Sequence, residues 1–196
     1  MNLALVLCPR TGGRYFLLAS ILTILASAHF GAMADVAWPE QVMFAMEGVR
    51  VSRPIDLPDN ALRVMRKNTT VLSCLEQGKS PDDIPGTWFV ASEIHLRTSN
   101  QFNLVVMPRQ TSESPSANRC LFHAHSIPFW ILIKRGTGYT IVLEANVQVL
   151  RVLRTTSHEY RNIETTSSNL NEDTKWLYQF DGHKYALKKK TSTPWR

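Results

Sequence analysis

The chain has 196 residues, of which 44% are hydrophobic and 19% are charged, and its formal net charge is +6. This composition can form a hydrophobic core, and it excludes a wholly disordered, collagen-like or coiled-coil chain. The length favours one domain, and 3 cysteines are too few for a small scaffold held together by disulfides.

The amino-terminal segment has the pattern of a signal peptide. Arg10 and Arg14 precede the uncharged segment 15–34, whose apolar centre is shorter than the ~20 residues that a membrane-spanning helix needs. Ala32-Met33-Ala34 then places small residues at the two positions that a signal peptidase recognises. We therefore predict a cleaved signal peptide over 1–34 and export to the periplasm or the medium. The alternative is an uncleaved segment that anchors the protein in the membrane.

Cleavage after Ala34 would remove Cys8 and leave Cys74 and Cys120. Two cysteines in an exported protein are usually oxidised, so we predict a disulfide between them. The alternative is two free buried thiols.

After the signal peptide, residues 35–57 predict an arm with one short strand, followed by a single domain over 58–187. Asp59 or Asn60 is suited to cap a helix that starts there. Apolar residues at helical spacing in 61–65 and 71–75 are interrupted by the polar segment 66–70, so either one or two short helices fit.

From Gly86 the pattern changes to strands and turns. Strands are predicted around 88–96, 101–107, 128–133, 139–143, 147–154, 176–180 and 183–187. Turns with glycine at 134–138 and at Asp181-Gly182 predict two hairpins. Segments 108–119 and 155–173 are polar and predict exposed loops, and 188–196 predicts a basic tail. The predicted fold class is α+β and β-dominated, with an antiparallel meander of about six or seven strands.

Few residues suggest chemistry. Cys120, His123 and His125 have the form of a weak zinc motif, but the predicted disulfide uses the cysteine, so we expect no metal. No glycine-rich phosphate loop opens a helix, and we expect no cofactor. Glu93 and His95 would share one face of a strand and are weak candidates for an acid/base pair.

The basic charge bears on partners. Lys184, Lys188, Lys189, Lys190 and Arg196 gather near the carboxyl end. Nucleic acid is not an expected partner outside the cytoplasm, whereas an acidic envelope protein or an anionic envelope polymer is electrostatically suitable. The alternative is a tail that only aids solubility.

Several motifs, in this order, resemble a family of small exported bacterial proteins. They are W-F-x-A-S-E-I-H-L over 88–96, L-V-V over 104–106, P-F-W over 128–130 and Y-x-F-D-G-x-x-Y over 178–185. The resemblance covers about residues 86–187. It implies bacterial export and a β-rich fold, and because the family has no established reaction or ligand, it assigns no catalytic residue.

The sequence favours a non-enzymatic binding protein that acts on an envelope partner, such as an inhibitor or an immunity-type protein. We expect loops 108–127 and 155–175 to carry recognition, since loops on a rigid sheet commonly do so. The candidate binding residues are Phe122, His123, His125, Tyr160 and Arg161. The alternatives are a small envelope hydrolase that uses Glu93 and His95, and a structural envelope component with a retained anchor.

Overall fold

A computed structural model describes residues 42–45, 54–97, 101–109 and 118–195 of the chain. The predicted signal peptide lies outside these residues, as do most of the arm and positions 110–117 of the predicted loop. All of the described residues belong to one compact unit. None of their helices combines the length and the apolar character needed to cross a membrane.

The described residues form ten strands in two antiparallel sheets of five strands each. The strands are β1 Val42–Ala45, β2 Pro54–Ile55, β3 Phe89–Ile94, β4 Asn103–Pro108, β5 Ile127–Arg135, β6 Gly138–Val147, β7 Val149–Ser157, β8 Tyr160–Ser168, β9 Glu172–Phe180 and β10 Tyr185–Pro194. The first sheet has the order β2-β3-β4-β5-β6, and the second has the order β1-β7-β8-β9-β10.

The predicted β-dominated, antiparallel architecture is confirmed, but six or seven strands are too few. Strand β8 runs through the polar segment that predicted a loop. Arg161, Ile163 and Thr165 occupy alternate positions along β8 and are buried, although only one of the three is aliphatic, and Asn162 between them is buried as well. A strand is usually recognised from an apolar buried face, and the polar side chains on the buried face of β8 hid that signal.

Two other segments also differ from the predicted elements. The arm contributes two strands, β1 and β2, where one was predicted. Most of the predicted basic tail belongs to β10, which pairs with β9 as far as Pro194. Lysines are common on edge strands because they discourage pairing with another chain. Their presence gives this segment the composition of a solvated tail.

The main core lies between the two sheets. Phe129, Ile131 and Ile133 of β5 pack in one cluster with Val152 of β7 and Ile163 of β8. The opposite face of the first sheet is covered by a helical layer, so this sheet is buried on both sides. That double burial accounts for the unbroken apolar run over 127–133, which alternates less than a half-exposed strand would.

Two short helices form the helical layer, α1 Asp59–Met65 and α2 Thr69–Leu72. Pro58 occupies the position before α1 and there is no side-chain cap, so the predicted capping by Asp59 or Asn60 is wrong. Asn68 instead caps α2, with its side-chain oxygen accepting from the Val71 amide at 3.1 Å. The polar segment therefore ends one helix and starts the next.

The predicted disulfide is confirmed. Cys74 and Cys120 are bonded, with their Cα atoms 5.6 Å apart and a separation of 46 positions in the chain. The bond ties the end of the helical layer to the short 3-10 helix Arg119–Leu121 that precedes β5. Closing a loop of this size restricts the unfolded chain and can stabilise the fold by up to ~4 kcal/mol.

Candidate functional site

Four chain connections meet at one end of the sheets, which we call the turn end. One connection follows β3 after Ile94. The other three join β5 to β6 over 136–137, β7 to β8 over 158–159, and β9 to β10 over 181–184. The two sheets contact each other there, because the Arg161 amide of β8 donates to the Leu96 carbonyl at 2.8 Å.

A groove of about 400 Å³ opens at the turn end, and all four connections or their flanking strands contribute to its lining. The lining residues are Arg97, Gln101, Ile133, Lys134, Arg135, His158, Glu159, Tyr160, Phe180 and Gly182. We call this the turn-end groove. Among the described residues, its lining combines three basic side chains, two aromatic rings and one carboxylate.

The aromatic side chains of the groove are stacked on one another. The rings of Tyr160 and Phe180 have centroids 4.1 Å apart at an interplanar angle of 30°, and Phe180 meets Tyr185 edge-on at 5.4 Å. The Arg97 guanidinium lies 5.1 Å from the centre of the Tyr160 ring, within cation–π range. Phe180 and Tyr185 are buried and support the Tyr160 ring, and Tyr160 itself is partly exposed and lines the groove.

The charges of the groove are unevenly balanced. Arg97 forms an ion pair with Glu159, and this hydrogen bond raises the pKa of the arginine above its usual value. Lys134 and Arg135 are exposed, and among the described residues neither has a carboxylate within ion-pair distance. The Arg135 side chain donates a long hydrogen bond of 3.4 Å to the His183 carbonyl. The groove therefore carries an excess of positive charge.

The turn between β7 and β8 has a strained backbone. His158 and Glu159 both have positive φ, at 47° and 67°, and neither is glycine. A two-residue turn with both φ values positive matches the twist of a hairpin, but asparagine and glycine are the usual occupants. Each non-glycine residue in this region costs about 1–2 kcal/mol. Strain of this kind is concentrated at functional sites, which makes the turn a candidate for recognition.

A polar network beside the groove supports this turn. Between Val152 and Thr156 the pairing of β7 with β8 shifts register, so residues 153–155 are displaced from the regular ladder. Asn162 compensates, since its amide donates to the Thr155 hydroxyl at 3.0 Å and its oxygen accepts from Ser157 at 2.7 Å. Ser157 in turn accepts from the Phe180 amide at 2.9 Å. The network links the β7–β8 turn to the strand that carries the aromatic floor.

The largest element of this support is Arg161, which is only 1% exposed. Its guanidinium donates to the Leu153 carbonyl at 2.6 Å and to the Val152 carbonyl at 3.0 Å, both next to the register shift. Burial lowers the pKa of Arg161. The Tyr185 hydroxyl donates to the Arg161 carbonyl at 2.7 Å, and burial strongly raises the pKa of that tyrosine.

The structure separates the residues that the sequence proposed for binding. Tyr160 lines the groove, while the Arg161 side chain lies in the interior. Phe122, His123 and His125 lie just before β5, whereas the groove is built from the far end of that strand. At about 3.4 Å per residue, the two ends of β5 are about 27 Å apart. Phe122 is half-buried against both hydrophobic clusters, and His123 and His125 are exposed.

The weak catalytic pair is not joined in the structure. Glu93 is exposed on β3, and the His95 ring packs on Phe102 with centroids 4.4 Å apart. Within the described part of the chain no hydrogen bond joins Glu93 to His95, so their geometry gives the hydrolase hypothesis no support. Glu93 does raise the pKa of Tyr139, although burial of that phenol contributes more.

Sequence reasoning missed Arg97, Lys134, Arg135 and His158, which contribute most of the positive or titratable groups of the groove. A partial signal was available. In an antiparallel meander, alternate turns lie at the same end, so Lys134-Arg135 and His158-Glu159 could have been placed together once β8 was recognised. Among the described residues, no group of three or more histidine, cysteine, aspartate or glutamate side chains is placed to hold a metal ion.

Comparison of the chain with protein-family models, with curated proteins and with solved structures finds no match. The resemblance to small exported bacterial proteins stays a prediction.

Proposed function

We propose that this protein is an exported, non-enzymatic binding protein that recognises another protein of the cell envelope through the turn-end groove. An inhibitor or immunity-type protein would act in this way. The observation that carries the proposal is the groove itself, in which Arg97, Lys134 and Arg135 surround an aromatic floor.

The composition of the groove suits a protein partner. Arginine and tyrosine are enriched where proteins bind each other, because both offer a large contact area together with polar groups. Tyr160 presents such a surface, and Arg97 lies above its ring. Lys134 and Arg135, which have no carboxylate partner within the described part of the chain, would attract an acidic surface and favour its approach.

The groove is also held in place before any partner arrives. Its floor rests on Phe180, which is 3% exposed, and its strained turn is fixed by the bonds of Ser157 and Asn162. His158 adds a 2.8 Å hydrogen bond between its Nδ1 atom and the Phe180 carbonyl. A preformed surface loses less conformational entropy on binding, which favours affinity.

The predicted signal peptide and the Cys74–Cys120 disulfide are the arguments for an exported protein. They supply the envelope part of the proposal, and the groove supplies the binding part.

A capture experiment with matched charge variants tests the proposal. The oxidised protein is immobilised and exposed to envelope extract at low salt, beside the double variant Lys134→Glu/Arg135→Glu. The control is Lys67→Glu/Lys79→Glu, which makes the same change in charge at exposed positions between α1 and α2 and after α2. We expect the wild type and the control to retain one specific protein and the groove variant to lose it.

Two results would contradict the proposal. If the groove variant retains the partner as well as the control does, recognition occurs elsewhere on the molecule. If the wild type retains no specific protein at all, the binding-protein assignment itself fails.

A further inference from the structure

The Arg97–Glu159 pair places a carboxylate of the protein itself on the arginine of the groove. The two residues are 62 positions apart in the chain and come from different sheets. Their side chains are 41% and 72% exposed. An ion pair this open to water contributes little to stability, so exchanging one carboxylate for another at Arg97 has a small energetic cost.

The backbone at Glu159 shows that the turn alone does not explain this residue. At its positive φ an asparagine or a glycine would form the same turn with less strain. The strained conformation nevertheless brings the Glu159 carboxylate to the Arg97 guanidinium. A glutamate at this position is therefore better explained by its contact with Arg97 than by the requirements of the turn.

The rest of the groove is suited to a ligand that carries more than one carboxylate. Lys134 and Arg135 remain available beside the paired arginine, and the Tyr160 ring, which rests on the buried Phe180, provides an apolar surface for the connecting chain. The Arg97 guanidinium can donate two parallel N–H hydrogen bonds to one carboxylate, a geometry that favours arginine over lysine at such sites.

We propose that the turn-end groove binds an acidic peptide segment of the partner, with one of its carboxylates on Arg97, and that Glu159 occupies that position in the free protein as an internal competitor. This inference rests on the proposed function and specifies the chemistry of the ligand. Binding breaks the Arg97–Glu159 pair and moves the Glu159 carboxylate into solvent. Glu159 therefore lowers the affinity for every acidic ligand by the strength of the pair.

The test measures binding of a fluorescent oligoglutamate peptide by anisotropy, with the oligoglutamine peptide as the uncharged comparison. We expect the wild type to bind oligoglutamate only. Glu159→Gln should bind it about three- to fivefold more tightly, as expected from an exposed ion pair. Arg97→Gln should bind it more weakly, and adding Glu159→Gln to that variant should give no further gain.

A second variant separates displacement from a general effect of charge. Asp181→Asn removes a negative charge at the same end, but that carboxylate accepts from the backbone amides of His183 and Lys184 and, among the described residues, forms no ion pair with a groove cation. Under the proposal, the affinity of Asp181→Asn for oligoglutamate rises by less than half as much as the affinity of Glu159→Gln. Equal gains would indicate a general charge effect and would overturn the proposal.

Other outcomes are equally decisive. If Glu159→Gln binds no better than the wild type, Glu159 does not compete for Arg97. If no variant binds oligoglutamate while capture of the envelope partner still depends on Lys134 and Arg135, the ligand is not an acidic segment, and the proposed function survives without this inference. Thermal melts of each variant verify that the fold is retained.

Discussion

Replacing Arg161 by methionine is the mutation for which the structure gives the clearest energetic expectation. Methionine keeps much of the length of the side chain but removes every donor. The Leu153 and Val152 carbonyls would then lose partners at 2.6 Å and 3.0 Å in a region where the strand ladder is already interrupted. A buried acceptor left unsatisfied costs about 1–3 kcal/mol. The bond to Val152 is buried and the bond to Leu153 is partly buried, so the two losses together cost at most about 6 kcal/mol.

Methionine is uncharged, so the variant no longer has the energetic cost of burying a charged group, and this offsets part of the lost stability. Burial lowers the pKa of Arg161, which shows that its charge is held at some cost. We therefore expect the Arg161→Met variant to lose about 2–4 kcal/mol of the free energy of unfolding, a large share of the ~5–15 kcal/mol typical of a domain.

Urea denaturation with the disulfide intact measures the effect, and the midpoint should fall without a large change in slope. Arg154→Met is the control, because Arg154 is an exposed arginine on the neighbouring strand β7 and should change stability by less than about 0.5 kcal/mol. If the two variants have equal stability, the hydrogen bonds of Arg161 do not maintain the register shift, and the reasoning is wrong.

The remaining predictions concern single contacts. Thiol titration of the unfolded, non-reduced exported protein should find no free thiol, since Cys74 and Cys120 are bonded, and two free thiols would contradict this. Tyr185→Phe should lose about 1–3 kcal/mol, because the buried Arg161 carbonyl loses its donor, and an unchanged urea midpoint would contradict this. Burial raises the pKa of Tyr185 in the folded state, so its stabilising effect is fully present below the unfolded-state pKa of about 10. The effect is lost as the pH rises from there through the folded-state pKa. Above about pH 10 the wild type should therefore lose more stability than Tyr185→Phe. The backbone bonds from Lys184 and His183 lower the pKa of Asp181, so its stabilising effect is present above the unfolded-state pKa and is lost as the pH falls through the folded-state pKa. A carboxyl NMR titration midpoint at or above about 3.9 would contradict this assignment.

Local signals in the sequence predict much of the fold. The turn of β5 and β6 contains Gly136 at a φ of 58°, a conformation that glycine adopts without strain. Strand β8 escaped prediction because its buried face carries Arg161 and Thr165 beside Ile163. Those polar groups can be buried only because strands distant in the chain surround them, and a local pattern does not contain that information.

The groove depends even more on contacts between distant segments. Arg97 and Glu159 meet because the end of β3 lies against the start of β8, a contact that depends on how the two sheets pack. Sequence reasoning selected Tyr160 from its place in a polar segment, but it also selected Arg161, whose side chain points into the interior. Neighbours in sequence take opposite faces of a strand, so the two could be distinguished only once β8 was known.

Mapping the contact surface of the captured envelope partner by NMR tests the central claim most directly. The account predicts that the amide shifts of the isotope-labelled protein change at Arg97, Lys134, Arg135 and the turn 158–159 when the partner is added. Changes centred on His123 and His125 at the opposite end of β5, with the turn end unaffected, would contradict it.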